Sequence, residues 1–461
     1  MKLILLSGGS GKRLWPLSND SRSKQFLKVL RSPQGELESM VQRVWRQLDA
    51  VGLGPHSYIA TGRAQVEMIQ SQLGAEARLI TEPERRDTFP AIALAASYLY
   101  SMTDTGLQET VAVLPVDPYV EDRFFLQVAG LEKVLNDSGA DLALIGVTPT
   151  YPSEKYGYLV PQGEVSASAA PEETYRKVAR FTEKPDEAGA RELIRERALW
   201  NCGVFAFKLD YLINELIARG LPIQYEELLK QYGQLKKISF DYEVVEQAKH
   251  IVCTAYDGDW KDLGTWNTLT EEMSTTQLGK GILTEECQGS YLLNELDIPV
   301  TVMGLTNVIV AASPDGILVT EKEASPRIKE VLKHTEARPM YEERRWGWYR
   351  VLDCKKYGEG QEMLTKRIGI RAGCNLSYQL HEKRREVWTI LSGSGELILD
   401  GRLYPVDAGD VWQIPVGVKH SLRAFTELEL IEVQTGSELV EEDIVRLCFD
   451  WDEALRLIQK A

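Results

Sequence analysis

A glycine-rich turn near the start of the chain combines residue types that bind phosphate. Residues 8–13 read Gly-Gly-Ser-Gly-Lys-Arg and follow the apolar stretch 3–6, which predicts a strand that ends in a tight turn. Glycines let backbone N–H groups approach an anion, and Lys12 and Arg13 add two full positive charges. The turn therefore indicates a nucleoside triphosphate site, although a plain strand–turn–helix connection also uses glycine at its tight point.

Two better-known phosphate motifs do not match this turn. A P-loop needs Ser or Thr after its Gly-Lys pair, but Arg13 follows Lys12, and the first glycine of that motif would fall on Leu6. A dinucleotide fingerprint that starts at Gly9 needs its third glycine where Leu14 stands. Both motifs are therefore excluded.

Composition limits the classes of function. The chain has 461 residues, 44% of them hydrophobic and 26% charged, which suits two or three globular domains. Its formal net charge of −15 argues against non-specific binding to nucleic acid or to an anionic membrane. No apolar segment of the sequence approaches the ~20 residues of a membrane span. The six cysteines form no C-x-x-C pair, so we expect a reduced, cytoplasmic protein.

The order of patterns predicts an α/β fold followed by an all-β domain. Strand and helix patterns indicate a Rossmann-like domain at 1–280 with a mixed, mostly parallel sheet. Short apolar runs predict a β-helix-like connector, which extends over 281–340 and includes part of a charged linker or surface helix at 334–345. Residues 341–461 alternate between strands and turns, which predicts a small barrel or jelly roll with a last helix over 441–459.

The first domain is expected to gather its ligands at one edge of the sheet. Strands are predicted at 57–61 and 111–117, and helices at 63–73 and 91–100. Ligands of such α/β sheets bind at the carboxyl ends of the strands. The glycine turn follows one strand and Asp117 ends another, so both are expected at this edge.

At this point an ordered set of segments resembles the sugar-1-phosphate nucleotidylyltransferases, and more narrowly the mannose-1-phosphate guanylyltransferases among them. The resemblance spans about the first 335 residues. It implies that guanylyl is transferred from GTP to mannose 1-phosphate, which yields GDP-mannose and pyrophosphate. The family's usual Asn and His are replaced by Asp87 and Pro118, which bears on base or sugar preference. The segments are 8–17, 23–26, 82–93, 115–117, 156–158, 181–185, 200–205, 239–242 and 260–266.

The resemblance, together with the chemistry of nucleotidyl transfer, implies a role for single residues. In-line attack on the α-phosphorus needs backbone donors, cations and a divalent metal, but no protein nucleophile. Mg²⁺ is the expected metal because it prefers carboxylate and phosphate oxygens. The implied catalytic cations are Arg13 and Lys24; the nucleotide-binding set is Gly8, Gly9, Ser10, Gly11, Lys12, Glu82, Arg86 and Thr88; the sugar-phosphate set is Gly157, Glu183, Lys184 and Asn201; and the Mg²⁺ ligands are Asp117 and Asp262.

Ordinary structural roles remain open for several of these residues. An aspartate at a strand end, such as Asp117, usually caps a helix or a turn. Glu183 and Lys184 would ordinarily form a solvated surface pair. The joint order of the segments favours the functional interpretation.

The C-terminal barrel resembles the cupins and the isomerase domain of bifunctional mannose-6-phosphate isomerase/mannose-1-phosphate guanylyltransferases. A cupin metal is held by His-x-His, Glu and a later His, which map here to His381, Lys383, Glu386 and His420. Because an ammonium cannot ligate a cation, two alternatives stay open. Either the three remaining ligands and water hold Zn²⁺ or a similar ion, or Lys383 pairs with Glu386 in its place.

The expected partners follow from these resemblances. They are GTP, mannose 1-phosphate and GDP-mannose, with a second copy of the chain in a homodimer and with no nucleic acid or membrane. Two rival functions remain: a bifunctional enzyme that also interconverts mannose 6-phosphate and fructose 6-phosphate, and a sugar-nucleotide-binding regulator that has lost catalysis. A barrel kept only for dimerisation or stability is a further alternative. Polysaccharide, glycoprotein and another GDP-sugar are all open as destinations of the product.

Overall fold

The chain folds into two compact units. In the computed structural model the first comprises Met1–Leu14, Ser23–Val66 and Glu76–Thr276, and the second comprises Trp15–Arg22, Glu67–Ala75 and Gln277–Ala461. The structure describes residues 1–9, 11–162, 175–333, 338–441 and 443–459. Within these ranges, every helix is too short or too polar to cross a bilayer. The domain boundaries expected near residues 280 and 340 stay a prediction.

A nine-stranded mixed sheet forms the centre of the first unit. Up to residue 276 the helices are Met40–Ala50 (α1), Val66–Leu73 (α2), Thr88–Met102 (α3), Arg123–Ser138 (α4), Glu187–Arg195 (α5), Leu209–Ala218 (α6), Tyr225–Gln231 (α7), Phe240–Glu243 (α8) and Trp266–Glu272 (α9). The strands are Lys2–Ser7 (β1), Leu30–Arg31 (β2), Leu37–Glu38 (β3), Ser57–Gly62 (β4), Leu79–Glu82 (β5), Thr110–Pro115 (β6), Pro118–Val120 (β7), Leu142–Val147 (β8), Tyr158–Pro161 (β9), Arg176–Thr182 (β10), Leu199–Lys208 (β11), Ile251–Tyr256 (β12) and Trp260–Asp262 (β13).

The strand directions confirm the predicted fold class. The order is β5-β4-β1-β6-β11-β8-β12-β10-β9, and β10 and β11 run against the other seven strands. Central strands of such sheets are buried on both faces, which explains the continuous apolar sequence of β1 and β6. Helix α3 is apolar on nearly all sides because it lies inside the hydrophobic core.

The register of β1 brings two chain segments together at the edge of the sheet. Leu6 of β1 pairs with Pro115 of β6, so the glycine turn and Asp117 leave adjacent parallel strands at the same level. The strand predicted at 111–117 ends at Pro115. Asp117 therefore lies just beyond the ladder, where its side chain is available to a ligand.

The second unit is built from β-structure. Beyond residue 276 its helices are Ile328–Val331 (α10) and Trp451–Gln459 (α11), and residues 67–73 of α2 belong to this unit as well. Its strands are Gln277–Gly279 (β14), Gly281–Leu283 (β15), Tyr291–Asn294 (β16), Val300–Val302 (β17), Val308–Ser313 (β18), Gly316–Glu321 (β19), Tyr341–Arg344 (β20), Gly347–Lys356 (β21), Glu362–Ile370 (β22), Tyr378–Leu380 (β23), Arg384–Ser392 (β24), Ser394–Leu399 (β25), Arg402–Asp407 (β26), Val411–Ile414 (β27), His420–Ala424 (β28), Leu428–Gly436 (β29) and Val445–Cys448 (β30).

Two kinds of β-structure follow one another in this unit. In the connector, β14, β16 and β18 pair in parallel, and so do β15 and β17, as successive rungs of a β-helix would. The barrel consists of a six-stranded sheet, β20-β21-β22-β29-β24-β27, and a five-stranded sheet, β26-β25-β28-β23-β30. Apolar side chains of both sheets form one core, which is the barrel that the sequence predicts.

Two predicted elements in this unit are wrong in part. The helix expected over 441–459 begins only at Trp451, because residues 445–448 pair with β23 as strand β30. The backbone turns at Asp450, whose carboxylate accepts from the N–H of Glu453. Within the charged stretch at 334–345, Tyr341–Arg344 forms strand β20 rather than a linker or a helix. Residues 334–337 lie outside the described part of the chain.

Candidate functional site

Lys24 lies between two carboxylates at the carboxyl edge of the first sheet. Its Nζ is 2.6 Å from Oδ1 of Asp262 and 2.9 Å from Oδ2 of Asp117. Burial alone would lower the pKa of Lys24, but the two carboxylates raise it well above its ordinary value. Burial opposes ionisation of Asp262 as well, yet Lys24 and Arg13 hold the pKa of Asp262 below its usual range. Lys24 and Asp262 are therefore both charged near neutral pH.

A two-stranded antiparallel ribbon places the two aspartates together. Strand β7 pairs antiparallel with β13, and Asp262 is the direct partner of Pro118. Asp117 precedes Pro118, so this register brings the two carboxylates to the same position although they are far apart in sequence. Proline is tolerated at Pro118 because it is the first residue of its strand.

A buried polar network holds the backbone on both sides of Lys24. The hydroxyl of Ser23 donates to the carbonyl of Gly9 over 2.9 Å and accepts from Nε2 of Gln65 over 2.7 Å. Nε2 of Gln25 donates to the hydroxyl of Ser7 over 3.2 Å. These polar side chains are almost fully buried, so each broken bond would leave an unsatisfied group. The network fixes the lysine relative to the glycine turn, and sequence reasoning did not identify it.

Two pockets meet at Lys24 and Asp117. The first, which we call the turn pocket, has a volume of about 280 Å³ and is open to Gly8, Gly9 and Arg13. A Cβ atom at Gly8 or Gly9 would point into open space, so these backbones are accessible to a ligand. Two cations against one carboxylate make the turn pocket suited to a polyanion. Gly11 lies in the short helical turn Gly11–Leu14, and Ser10 lies outside the described residues.

The second pocket, which we call the aromatic cleft, has a volume of about 260 Å³. Tyr156 and Trp260 lie on its wall with their ring centroids 5.3 Å apart, and Trp200 packs against Tyr156 at 4.9 Å. Aromatic faces beside hydrogen-bonding groups are suited to a sugar ring, which has apolar C–H surfaces and polar edges. The cleft lining also includes Lys24, Asp117, Lys155, Gly157, Glu183, Asn201, Asp241 and Asp262.

Of the sequence-predicted sugar-phosphate residues, Gly157, Glu183 and Asn201 meet in the aromatic cleft. Glu183 is 8% exposed, which rules out the alternative of a solvated surface pair. Lys184 pairs with Glu183 and lies over the ring of Tyr242, and it is not part of the cleft lining. The structure adds Asp241, which accepts from Nδ2 of Asn201 over 2.8 Å. Its segment matched the family resemblance, but sequence reasoning gave it no role.

Three predicted nucleotide-binding residues bind protein groups instead of lining either pocket. Glu82 accepts from the hydroxyl of Tyr232 over 2.5 Å, and a guanidinium nitrogen of Arg86 donates to the carbonyl of Leu235 over 2.6 Å. The hydroxyl of Thr88 accepts from the N–H of Phe240 over 2.8 Å. These contacts hold the segment that leads to Asp241, and nucleotide contact by the three residues stays a prediction. Lys12 also lies outside the lining of both pockets.

The barrel of the second unit contains a buried cluster of metal-ligand type. Nε2 of His381 lies 3.1 Å from Oε1 of Glu386, and Nε2 of His420 lies 3.7 Å from Oε2 of the same carboxylate. Among the described residues this is the one group of three such side chains whose ligand atoms lie within 4.8 Å of one another. The structure thus brings the three predicted cupin ligands together.

The hydrogen bonds of the two histidines fit a divalent metal. Nδ1 of His381 donates to the backbone carbonyl of Asp443 over 2.6 Å. Nδ1 of His420 donates in the same way to the carbonyl of Val418 over 3.0 Å. Both Nε2 atoms therefore face Glu386. Burial lowers the pKa of His420 to about 4, so the ring is neutral, and its Nε2 has no hydrogen-bond partner in the described part of the chain. A buried nitrogen with a free lone pair is a natural zinc ligand.

The alternative in which Lys383 pairs with Glu386 is wrong. Strand β24 begins at Arg384, and alternate side chains of a strand face opposite sides, so Arg384 and Glu386 point into the barrel. Nε of Arg384 donates to Oε1 of Glu386 over 3.0 Å. Lys383 lies before the strand and pairs instead with Glu438 at the surface. A buried guanidinium therefore takes the position beside Glu386 that the sequence suggested for the ammonium.

A second buried carboxylate lies behind the cluster. Nε1 of Trp388 lies 3.1 Å from an oxygen of both Glu386 and Glu432, and Gln434 donates to Glu432 over 2.7 Å. Burial and the charge of Glu386 raise the pKa of Glu432 to about 7. Trp388 and Gln434 thus orient both carboxylates, as the outer groups around a metal site do.

The mixed α/β sheet, with a lysine–carboxylate cluster between two pockets, defines a phosphate-binding domain of the nucleotide-transferring class, and the barrel is of the cupin type. The chain belongs to the nucleotidyl transferase family, whose model matches residues 2–278. A second model, described as mannose-6-phosphate isomerase C-terminal, matches residues 329–448. Both findings agree with the resemblances seen in the sequence.

Relatives are similar over nearly the whole chain. The xanthan biosynthesis protein XanB of Xanthomonas campestris pv. campestris is 32% identical, over 96% of this chain and 97% of its own. The alginate biosynthesis protein AlgA of Pseudomonas aeruginosa is 30% identical, over 96% and 95%. A solved Thermus thermophilus protein, described as a mannose-1-phosphate geranyltransferase, is 28% identical over 73% of this chain and 99% of its own, with a TM-score of 0.60.

Substitution of Gly157 tests whether substrate binding in the aromatic cleft depends on the position of Glu183. In Gly157→Ala the new Cβ would lie 2.5 Å from Oε2 of Glu183 and 2.8 Å from Cζ of Phe181, so the carboxylate must move. We expect the KM for the sugar phosphate to rise at least ~10-fold, because a shift of this size misplaces the substrate. Gly106→Ala is the control, since a Cβ there meets no atom within 4 Å. Equal KM values in both variants would remove Glu183 from the substrate site.

Proposed function

We propose that the first unit transfers the guanylyl group of GTP to mannose 1-phosphate and releases pyrophosphate. A phosphate oxygen of the sugar attacks the α-phosphorus of GTP in line with the leaving group. The new P–O bond forms as the bond between the α-phosphorus and the bridging oxygen breaks, and that electron pair leaves with pyrophosphate. The product is GDP-mannose.

The observation that supports this proposal is that the turn pocket and the aromatic cleft meet at Lys24. A triphosphate in the turn pocket and a sugar phosphate in the aromatic cleft would bring their phosphates together beside Lys24. The ammonium neutralises charge that develops on the equatorial oxygens, and Arg13 neutralises the departing pyrophosphate. Holding both anions at one point also removes much of the entropic cost of a bimolecular reaction. The chain needs no side-chain nucleophile for this chemistry.

Asp117 and Asp262 have the donor atoms that Mg²⁺ requires. Both carboxylates approach the same cationic atom, Nζ of Lys24, within 2.9 Å, so they converge on one point of positive charge. Hard carboxylate oxygens are preferred ligands of Mg²⁺, with phosphate oxygens completing the shell. When bound, the ion would polarise the phosphates and neutralise charge on the leaving group. We assign Asp117 and Asp262 as its protein ligands.

The assembled cluster favours an enzyme over a regulator that has lost catalysis. Binding alone would need the turn pocket and the aromatic cleft, but it would not need two carboxylates held against a lysine at their junction. Two charged carboxylates and an ammonium in a partly buried place cost free energy of desolvation, which a ligand-binding role leaves unexplained. Catalysis of phosphate transfer uses each of these groups.

The remaining details of the proposal rest on the relatives and on composition. The names of the xanthan and alginate biosynthesis proteins support the use of the product in polysaccharide assembly. Relatives from Vibrio cholerae and Salmonella typhimurium carry the name mannose-1-phosphate guanylyltransferase, the first as putative, which supports GTP and mannose 1-phosphate as substrates. All six cysteines are free thiols, which supports a reducing cytoplasm. A homodimer stays a prediction.

The catalytic assignment is tested with Arg13→Ala and Asp117→Asn. We expect each to lower the rate of pyrophosphate release from GTP and mannose 1-phosphate at least ~100-fold, because each removes a charge that stabilises the transition state. The assay couples pyrophosphate release to a phosphate-sensing reaction under Mg²⁺. Arg191→Ala and Asp257→Asn are the matched controls, since these residues are 60% and 89% exposed. Rates in the test variants that match those controls would refute the site.

A second candidate function concerns the barrel, where the His381–Glu386–His420 cluster favours a metal-dependent isomerase. Interconversion of mannose 6-phosphate and fructose 6-phosphate moves a proton between neighbouring carbons. When bound, a divalent ion would polarise the carbonyl oxygen during that step. His381, His420 and Glu386 would hold the ion, and Arg384 would keep Glu386 in place. The buried Nε2 of His420, which has no hydrogen-bond partner among the described residues, is the observation that supports this function.

Metal content tests the barrel site independently of isomerase activity. After dialysis against buffer that contains a trace concentration of the metal, we expect about one zinc or similar ion per chain. The reason is that the three ligand atoms are preassembled. His420→Ala should lower that content at least ~10-fold, since two ligands rarely retain zinc. His250→Ala is the control, because His250 is exposed and pairs with Asp141, away from the cluster in the barrel. Mass-spectrometric metal analysis that finds no ion in the unmodified chain would contradict the site and, with it, the isomerase function.

A further inference from the structure

Asp241 is a carboxylate in the aromatic cleft that the transfer reaction has not yet used. It lies in the short helix α8, and its neighbour Phe240 is held by the hydrogen bond to Thr88. It lines the cleft together with Glu183 and Asn201. Its carboxylate is placed against protein groups on one side and against the cleft on the other, so its contacts define what a ligand would meet.

The amide of Asn201 is held at both ends. Its Oδ1 accepts from the N–H of Gly203 over 3.1 Å, and its Nδ2 donates to Oδ1 of Asp241 over 2.8 Å. Rotation of the amide by 180° would set an NH₂ group against the N–H of Gly203 and an oxygen against the carboxylate of Asp241. The first new contact is repulsive, and so is the second with Asp241 ionised, so the two bonds together favour one orientation of the amide.

An amide fixed in this way leaves one N–H and one oxygen lone pair for a ligand. A donor and an acceptor side by side match two neighbouring hydroxyls of a sugar, each of which both donates and accepts. Glu183 lies in the same cleft and offers further acceptor atoms. The three side chains therefore present a set of groups suited to hydroxyls rather than to phosphate.

We propose that Asp241 is a positioning residue for the sugar phosphate. It holds the Asn201 amide in the orientation in which the amide hydrogen-bonds to neighbouring hydroxyls of a hexose 1-phosphate. This inference rests on the proposed transfer reaction. It makes Asp241 a determinant of sugar binding that acts through Asn201, without contact to the reacting phosphates. The nucleotide in the turn pocket does not depend on it.

The charge state of Asp241 is compatible with this role. Burial, and then the negative charge of Glu183, raise the pKa of Asp241 to about 7, while Lys184 opposes the shift. Protonated or ionised, the carboxyl group keeps an oxygen that accepts from Asn201. Asparagine also has such an oxygen at the same place, whereas leucine has the size but no acceptor.

The test compares Asp241→Leu, Asp241→Asn and the control Asp257→Leu by steady-state kinetics with both substrates varied. For Asp241→Leu we expect the KM of the sugar phosphate to rise at least ~10-fold, with the KM of GTP within about twofold, because only the sugar-binding amide is released. Asp241→Asn should stay within about threefold of the unmodified chain. Asp257 is 89% exposed, so its variant should behave like the unmodified chain.

A double-mutant cycle with Asn201→Ala separates positioning from direct contact. Because Asp241 acts through Asn201, Asp241→Leu should add less than about twofold to the KM of Asn201→Ala. Additive effects, an unchanged sugar KM in Asp241→Leu, or equal damage in Asp241→Asn and Asp241→Leu would each overturn the inference. Thermal unfolding checks that each variant is folded, and Asp241→Ala replaces the leucine variant if that one is not.

Failure of the proposed function gives a different result. It would appear already in the unmodified chain, as no turnover of GTP with mannose 1-phosphate. The same variants are then measured with the nucleotide and the sugar 1-phosphate that the unmodified chain does turn over. If it turns over no pair, equilibrium binding of mannose 1-phosphate and of GTP replaces the two KM values, and the same pattern of affinities is expected. The failure of the positioning role is therefore distinguishable from the failure of the proposed function.

Discussion

The contact of Lys24 with Asp117 and Asp262 is the constraint on which the first unit depends. One ammonium within 2.9 Å of two carboxylates offsets part of their negative charge in a partly buried place, and it marks the point where the turn pocket and the aromatic cleft meet. Three independent pieces of structure converge on it. The β1–β6 register supplies the sheet edge, the β7–β13 ribbon brings in Asp262, and the buried Ser23–Gln65 network holds the lysine backbone.

Residue type and order carry the part of the candidate site that could be predicted from the sequence. Glycines next to two cations indicated an anion site, and an ordered series of motifs indicated Asp117 and Asp262, which the structure places together. Sequence reasoning could not find Asp241 or the network around Gln65, because these side chains gain their roles from neighbours that only the fold supplies. The pairing of Lys383 with Glu386 was wrong for a different reason. Strand β24 begins one residue later, at Arg384, and this start decides which side chain enters the barrel.

The two units solve an electrostatic problem in similar ways. In each, a cation lies directly against carboxylates, with Lys24 on Asp117 and Asp262 in the first unit and Arg384 on Glu386 in the barrel. Such pairs limit the cost of keeping charges away from water. The pKa values of Asp262 and Glu386 lie below their usual range, so these two carboxylates are ionised, as metal ligands must be. The polar interior of the barrel thus fits a chemical role better than a purely structural one.

The most direct test of the transfer function is a matrix of nucleoside triphosphates against sugar 1-phosphates, with pyrophosphate release as the readout. The account predicts that GTP with mannose 1-phosphate gives the highest kcat/KM, and that release depends on both substrates and on Mg²⁺. A higher kcat/KM for another pair would contradict the specificity, although the chemistry would stand. No release from any pair, by a folded protein with Mg²⁺ present, would contradict the account as a whole.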